Sequence, residues 1–132
     1  MKNVVDSSGW LEYFAGGANA SFFAPPLQAA DRLIVPAICI NEVFKRVLVQ
    51  AGEEEALRIA GIMSMATVAP LDRDIALEAA RVALEHKLAL ADSVILATTQ
   101  LHDATLWTQD EHFNGIAGVK FIHKAPKPLL MK

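Results

Sequence analysis

Short apolar runs alternate along this chain with longer stretches in which apolar positions recur every three or four residues. The runs at 4–5, 33–35, 67–69, 105–107 and 120–122 predict five strands. They are apolar throughout rather than alternating, as expected of strands covered on both faces. Helical spacing predicts helices over 38–50, 53–65, 74–86 and 91–102. In the first, Ile40, Val43, Phe44, Val47 and Leu48 form the face to be buried. In the second, Leu57, Ala60, Gly61 and Ser64 align, and in the last Ile95, Leu96 and Thr99 face inward. Segment 8–30 reads as two short helices, broken at Gly16-Gly17 and restarted or kinked at Pro25-Pro26. Strands alternating with helices imply an α/β class: a three-layer α/β/α fold with a short-stranded parallel sheet of four or five strands.

Composition narrows the picture further. A chain of 132 residues is expected to form one domain over 1–132, with 124–132, which carries Pro126 and Pro128, as an extended tail. The 53% hydrophobic content promises a dense core and apolar surface left over for a partner. Cys39 is the only cysteine, so an internal disulfide is excluded and a reducing cytoplasm fits; its apolar neighbours mark it as a small core residue. The start lacks the apolar core of a secretion signal. The uncharged stretch 13–30 is interrupted by Asn19, Ser21, Pro25, Pro26 and Gln28, so no membrane span is expected. A net charge of −3 rules out a global basic footprint for nucleic acid, leaving a local patch or bound cations to supply any such contact. His86, His102, His112 and His123 form no spaced pair with each other or with Cys39, which argues against zinc. His112, beside Asp110 and Glu111, reads as a surface residue within reach of those acids. The glycines near 16 and 115–118 are turn signals, not phosphate loops.

Four acids stand at junctions between elements: Asp6, Glu42, Asp92 and Asp110. Each has a local explanation. Asp6, Asp92 and Asp110 are good helix caps, and Glu42 is spaced to pair with Lys45 or Arg46 on a solvated face. Their joint placement says more. In parallel sheets, ligands bind beyond the carboxyl ends of the strands, where these acids would meet if the strands are neighbours. Two carboxylates about 4 Å apart repel by roughly 4 kcal/mol at an effective dielectric near 20. That is a large share of a domain's stability of about 5–15 kcal/mol. A cation is the natural remedy, and an all-oxygen set suits Mg²⁺ or Mn²⁺. Lys45 and Arg46, one helical turn past Glu42, are the nearest candidates for a phosphate contact.

The segments Val4-Val5-Asp6-Ser7-Ser8, Ile38-Cys39-Ile40-Asn41-Glu42-Val43-Phe44, Leu88-Ala89-Leu90-Ala91-Asp92-Ser93-Val94-Ile95-Leu96-Ala97 and Leu106-Trp107-Thr108-Gln109-Asp110-Glu111-His112-Phe113 resemble, in order and spacing, the PIN-domain family and its VapC-type toxin branch. By that resemblance Asp6, Glu42, Asp92 and Asp110 match the family's acidic quartet. Ser8 and Thr108 match supporting hydroxyl positions, and Glu111 is an extra acid that leaves open how it and Asp110 divide the work. The resemblance implies a Mg²⁺- or Mn²⁺-dependent endoribonuclease, the toxin of a toxin–antitoxin pair. It also implies a homodimer and a VapB-like antitoxin whose peptide arm covers the aromatic N-terminal region. Trp10, Tyr13, Phe14, Phe22 and Phe23 divide there between core and groove.

Two other readings share these residues. A non-catalytic PIN-fold binding module would keep the fold and only dock a partner. A Mg-dependent receiver-type signalling domain would use Asp6, Thr108 and Lys124, yet Ser7 and Ser8 follow Asp6 where an adjacent acid belongs, and the third strand ends without an Asp.

Overall fold

The computed structural model describes residues 1–126. Strands β1 (Lys2–Val5), β2 (Leu33–Pro36), β3 (Thr67–Ala69), β4 (Ala104–Thr108) and β5 (Val119–Phe121) form one sheet. Their order is β3-β2-β1-β4-β5, and every pairing is parallel. The connections carry helices α1 (Ser7–Ala15), α2 (Ala20–Gln28), α3 (Ala37–Ala51), α4 (Glu53–Met63), α5 (Arg73–His86) and α6 (Leu90–Leu101), with 3₁₀ turns at Ala30–Arg32 and Glu111–Phe113. All of β2 is buried, and Val4 and Val5 of β1 are fully so. Successive strand residues point to opposite faces, so the sheet is covered on both sides, as the unbroken apolar runs require. This is the expected α/β class, with five strands. The strand order also sets the chain apart from receiver domains, whose doubly wound order is 2-1-3-4-5.

α1 reaches the sheet through a glycine. A β-carbon on Gly9 would lie 2.6 Å from Val5 Cγ1 and 2.7 Å from Phe23 Cε1, both in the core. Gly9→Ala is therefore expected to destabilise the protein by about 1–3 kcal/mol through overpacking, read as a lower urea midpoint. An unchanged midpoint would mean that α1 slides off β1 at no cost.

Other local expectations need correction. In α4 the buried row is Ala56, Ile59 and Met63, whereas Leu57, Gly61 and Ser64 are exposed and Ala60 is only half-buried. Apolar residues surround most of this helix, so periodicity did not choose the face; packing against α3 did. In α3 the stripe is Cys39, Val43 and Val47, with Ile40 and Phe44 half-buried and Leu48 41% exposed. Pro25 and Pro26 do not restart a helix. α2 runs through both and stops at Gln28, since each proline removes one backbone donor from the helical ladder. Trp10 and Phe23 are core, while Tyr13, Phe14 and Phe22 pack against it half-buried. Of the tail expected over 124–132, the part 127–132 lies outside the described residues.

Candidate metal centre

From β1 the chain moves to β2 on one side, and the later crossover from β3 returns to β4 on the other. The carboxyl ends of β1 and β4 therefore diverge into a crevice, the place where such sheets bind ligands. Asp6 follows β1 directly. Thr108 ends β4, with Asp110 two residues on. The register holds them side by side: Val5 lies opposite Trp107, and the Asp6 amide donates to the Trp107 carbonyl at 3.3 Å.

Asp6 is 3% exposed and caps α1. Its Oδ1 accepts from the Gly9 amide at 2.9 Å. Its Oδ2 accepts from Thr108 Oγ1 at 2.6 Å, and Ser8 Oγ lies 3.0 Å from both oxygens. Burial pushes its pKa up to about 6, against the pull of these three donors and with a further push from Asp110. Thr108 Oγ1 also accepts from the Asp110 amide at 2.9 Å, so one fully buried hydroxyl ties the first acid to the fourth.

Glu42 projects from α3, and Ser7 Oγ donates to its Oε1 at 2.6 Å. Asp92 is the third residue of α6, whose cap is Ala89, so it does not play the capping part open to it from sequence. It is half-buried and accepts no hydrogen bond among the described residues. Its pKa is pushed up to about 6, first by burial and then by Asp110 and Glu42, with His112 opposing. Asp110 does cap its 3₁₀ turn: Oδ1 accepts from the His112 amide at 2.9 Å and lies 2.7 Å from His112 Nδ1.

All four acids line one open cleft of about 610 Å³, together with Lys45 and Arg46. Neither Glu111 nor His112 is among its lining residues. The Glu111 carboxylate lies 3.0 Å from His123 Nδ1, and Glu111 and His112 both line a smaller pocket that shares Asp110 with the cleft. The carboxylate that faces the cleft at this end is Asp110. Cys39 is fully buried beneath, its thiol pushed up by burial.

Several participants escaped sequence reasoning. Ser7, not only Ser8, holds an acid. Asn19 Nδ2 donates to Gln109 Oε1 and to the His123 carbonyl, each at 2.9 Å, while Glu12 Oε2 accepts the Asn19 amide at 2.8 Å. This brace pins the α1–α2 loop to the residue between Thr108 and Asp110. The one clue in the sequence was a polar residue, Gln109, following an apolar strand.

The donor set fits a hard divalent cation. Four carboxylates line one cleft, with Asp92 and Asp110 the two that come within 4.8 Å in a close ligand cluster, and neither Lys45 nor Arg46 forms an ion pair with any of the four among the described residues. Asp92 offers both oxygens, and the ligands are oxygen-rich, as Mg²⁺ and Mn²⁺ prefer.

No curated protein matches the chain. Among solved structures, it is similar to one in a toxin–antitoxin complex from Klebsiella pneumoniae, with 28% identity, a TM-score of 0.76, and coverage of 90% of this chain and 96% of that one. It is similar in fold to a chain of the DNA-bound VapBC of Salmonella typhimurium, with 15% identity, a TM-score of 0.71, and coverage of 93% and 98%. VapC20 of Mycobacterium tuberculosis, described as a Sarcin-Ricin loop cleaving toxin, shares the fold at 16% identity and a TM-score of 0.66, with coverage of 86% and 92%. The PIN domain family matches residues 4–119, a span that holds all four acids and strands β2 to β4 entire, and the chain belongs to that family.

Proposed function

We propose that this protein is a divalent-metal-dependent endoribonuclease, the toxin of a toxin–antitoxin pair. The observation that carries the reading is the gathering of Asp6, Glu42, Asp92 and Asp110 around one cleft, where among the described residues neither Lys45 nor Arg46 forms an ion pair with any of them. Membership of the PIN family, whose VapC toxins are generally nucleases, supports the reaction class. The likeness to a chain of a toxin–antitoxin complex supports the biological setting. Mg²⁺ or Mn²⁺ bound by the four acids would neutralise the scissile phosphate and lower the pKa of the attacking water.

This chain's residues supply the rest. Thr108 and Ser8 fix the Asp6 carboxylate, Ser7 fixes Glu42, and the shared Thr108 hydroxyl keeps Asp6 and Asp110 in one relative position. Such pre-organisation spares the reorganisation that would otherwise add to the barrier. A carboxylate of the set takes the proton from the attacking water. Lys45 and Arg46, exposed at the cleft wall, grip the RNA backbone. The acidic overall charge favours a narrowly chosen RNA over bulk degradation.

The partners in this reading are RNA, a VapB-like antitoxin and a second copy of the chain. Exposed apolar residues such as Val49, Met65 and Leu84 leave surface for protein contacts. No described helix is long and apolar enough to cross a membrane, in keeping with a cytoplasmic site of action.

The test is cleavage of cellular RNA by the purified chain. Excess chelator is expected to stop the reaction, and Mg²⁺ or Mn²⁺ to restore it. Full activity in chelator would remove the metal from the mechanism. No cleavage under any condition would leave the chain as a binding module only.

A further inference from the structure

His112 stands apart from the acidic quartet. Its side chain is 71% exposed, and a surface imidazole is free to point into solvent. Instead its Nδ1 lies 2.7 Å from Asp110 Oδ1 and 4.0 Å from Asp92 Oδ2. The backbone amide of the same residue bonds the same Asp110 oxygen, so the turn that positions Asp110 also carries the ring. One ligand atom from each of Asp92, Asp110 and His112 can be chosen so that all lie within 4.8 Å of one another. Around an octahedral ion with ligands at about 2.1 Å, adjacent donors sit about 3 Å apart and opposite donors about 4 Å apart. The 4.0 Å between His112 Nδ1 and Asp92 Oδ2 falls within that range.

We propose that His112 gives the metal centre a nitrogen ligand through Nδ1, so that this chain prefers a nitrogen-accepting transition-metal ion, with Mn²⁺ as the probe, over Mg²⁺. The inference rests on the metal centre assigned above and adds a residue to it. Mg²⁺ keeps to oxygen donors and water, whereas imidazole suits transition metals. Nδ1 becomes available by a tautomer change: the proton moves to Nε2, which the exposed ring can present to solvent. Asp110 turns its Oδ2 to the ion without giving up the amide bond that caps the turn.

The experiment uses the full chain, its His112→Ala variant, and His86→Ala as a control at a histidine remote from the cleft. Mn²⁺ affinity is measured by titration, and coordination by the nitrogen modulation of the Mn²⁺ electron spin echo. The expected result is an imidazole-nitrogen signal in the wild type and in His86→Ala, absent in His112→Ala. Mn²⁺ affinity should drop about tenfold or more in His112→Ala while Mg²⁺ affinity changes little, in line with the loss seen when a ligand's support is removed. Tight Mn²⁺ binding without a nitrogen signal in the wild type would overturn the His112 assignment and leave the carboxylate centre standing. No Mn²⁺ binding by the wild type would overturn both.

Discussion

Asp6→Asn is expected to lower RNA cleavage about a thousandfold or more while making the metal-free protein more stable at pH 7.5. The loss follows from the proposed role of Asp6, a carboxylate at an enclosed corner of the cleft, in holding the metal. A metal contributes several kcal/mol to phosphodiester cleavage, and each 1.36 kcal/mol is tenfold in rate. The gain in stability follows from what asparagine keeps. It caps helices as well as aspartate does, so Oδ1 can still accept from the Gly9 amide while Nδ2 donates to Thr108 Oγ1. The variant loses the charge that burial disfavours, which outweighs the loss of an acceptor for the Thr108 hydroxyl proton. Single-turnover cleavage and urea denaturation in chelator measure the two effects. Wild-type cleavage rates in the variant would remove Asp6 from the mechanism, and a large loss of stability would show that the charge holds α1 in place.

The stability of the metal-free protein is expected to fall by about 3 kcal/mol as pH rises from about 4 to above 6. Asp6 has an ordinary value of 3.8 and is raised to about 6 in the folded chain. A raised folded value means that the native state binds its proton more tightly than the unfolded state does. The resulting stabilisation is full below the unfolded value and is lost as pH climbs through the folded one. At 1.36 kcal/mol per pH unit, Asp6 alone accounts for that magnitude. Asp92 shifts the same way, also to about 6, but it is more exposed and contributes less. Glu55, lowered by Arg58 on the open surface, works in the opposite sense and is screened by solvent. Saturating Mg²⁺ or Mn²⁺ should stabilise the protein far more at pH 7.5 than at pH 5, since ligands must be deprotonated to bind. Thermal melts across pH, with and without the cation, read this directly. A melting temperature that rises steadily from pH 4 to 7.5 in chelator would mean that the carboxylates are not crowded.

The positions of Asp6, Asp92 and Asp110 near element ends were legible in the sequence, whereas Glu42, expected at a junction, is the sixth residue of α3. Apolar runs and helical spacing are local properties, and they placed Asp6 after one strand and Asp110 after another. Asp92 was placed as a cap and proved to lie inside the first turn of α6, because Leu90 and Ala91 join the helix ahead of it. The face of α4 was not legible, since its apolar residues lie on most sides and only the fit against α3 selects Ala56, Ile59 and Met63.

By itself the sequence determined the order of strands and helices, the parallel class of the sheet, and the four acids to watch, because periodicity and turn chemistry act over a few residues. The tertiary structure decided that Glu111 turns aside to His123 while His112 leans over Asp110 and Asp92. It also decided that Thr108 bridges two acids and that Asn19 reaches Gln109 across 90 positions of chain. Those outcomes depend on the direction each side chain takes and on neighbours brought from far along the chain, and neither is written in local spacing.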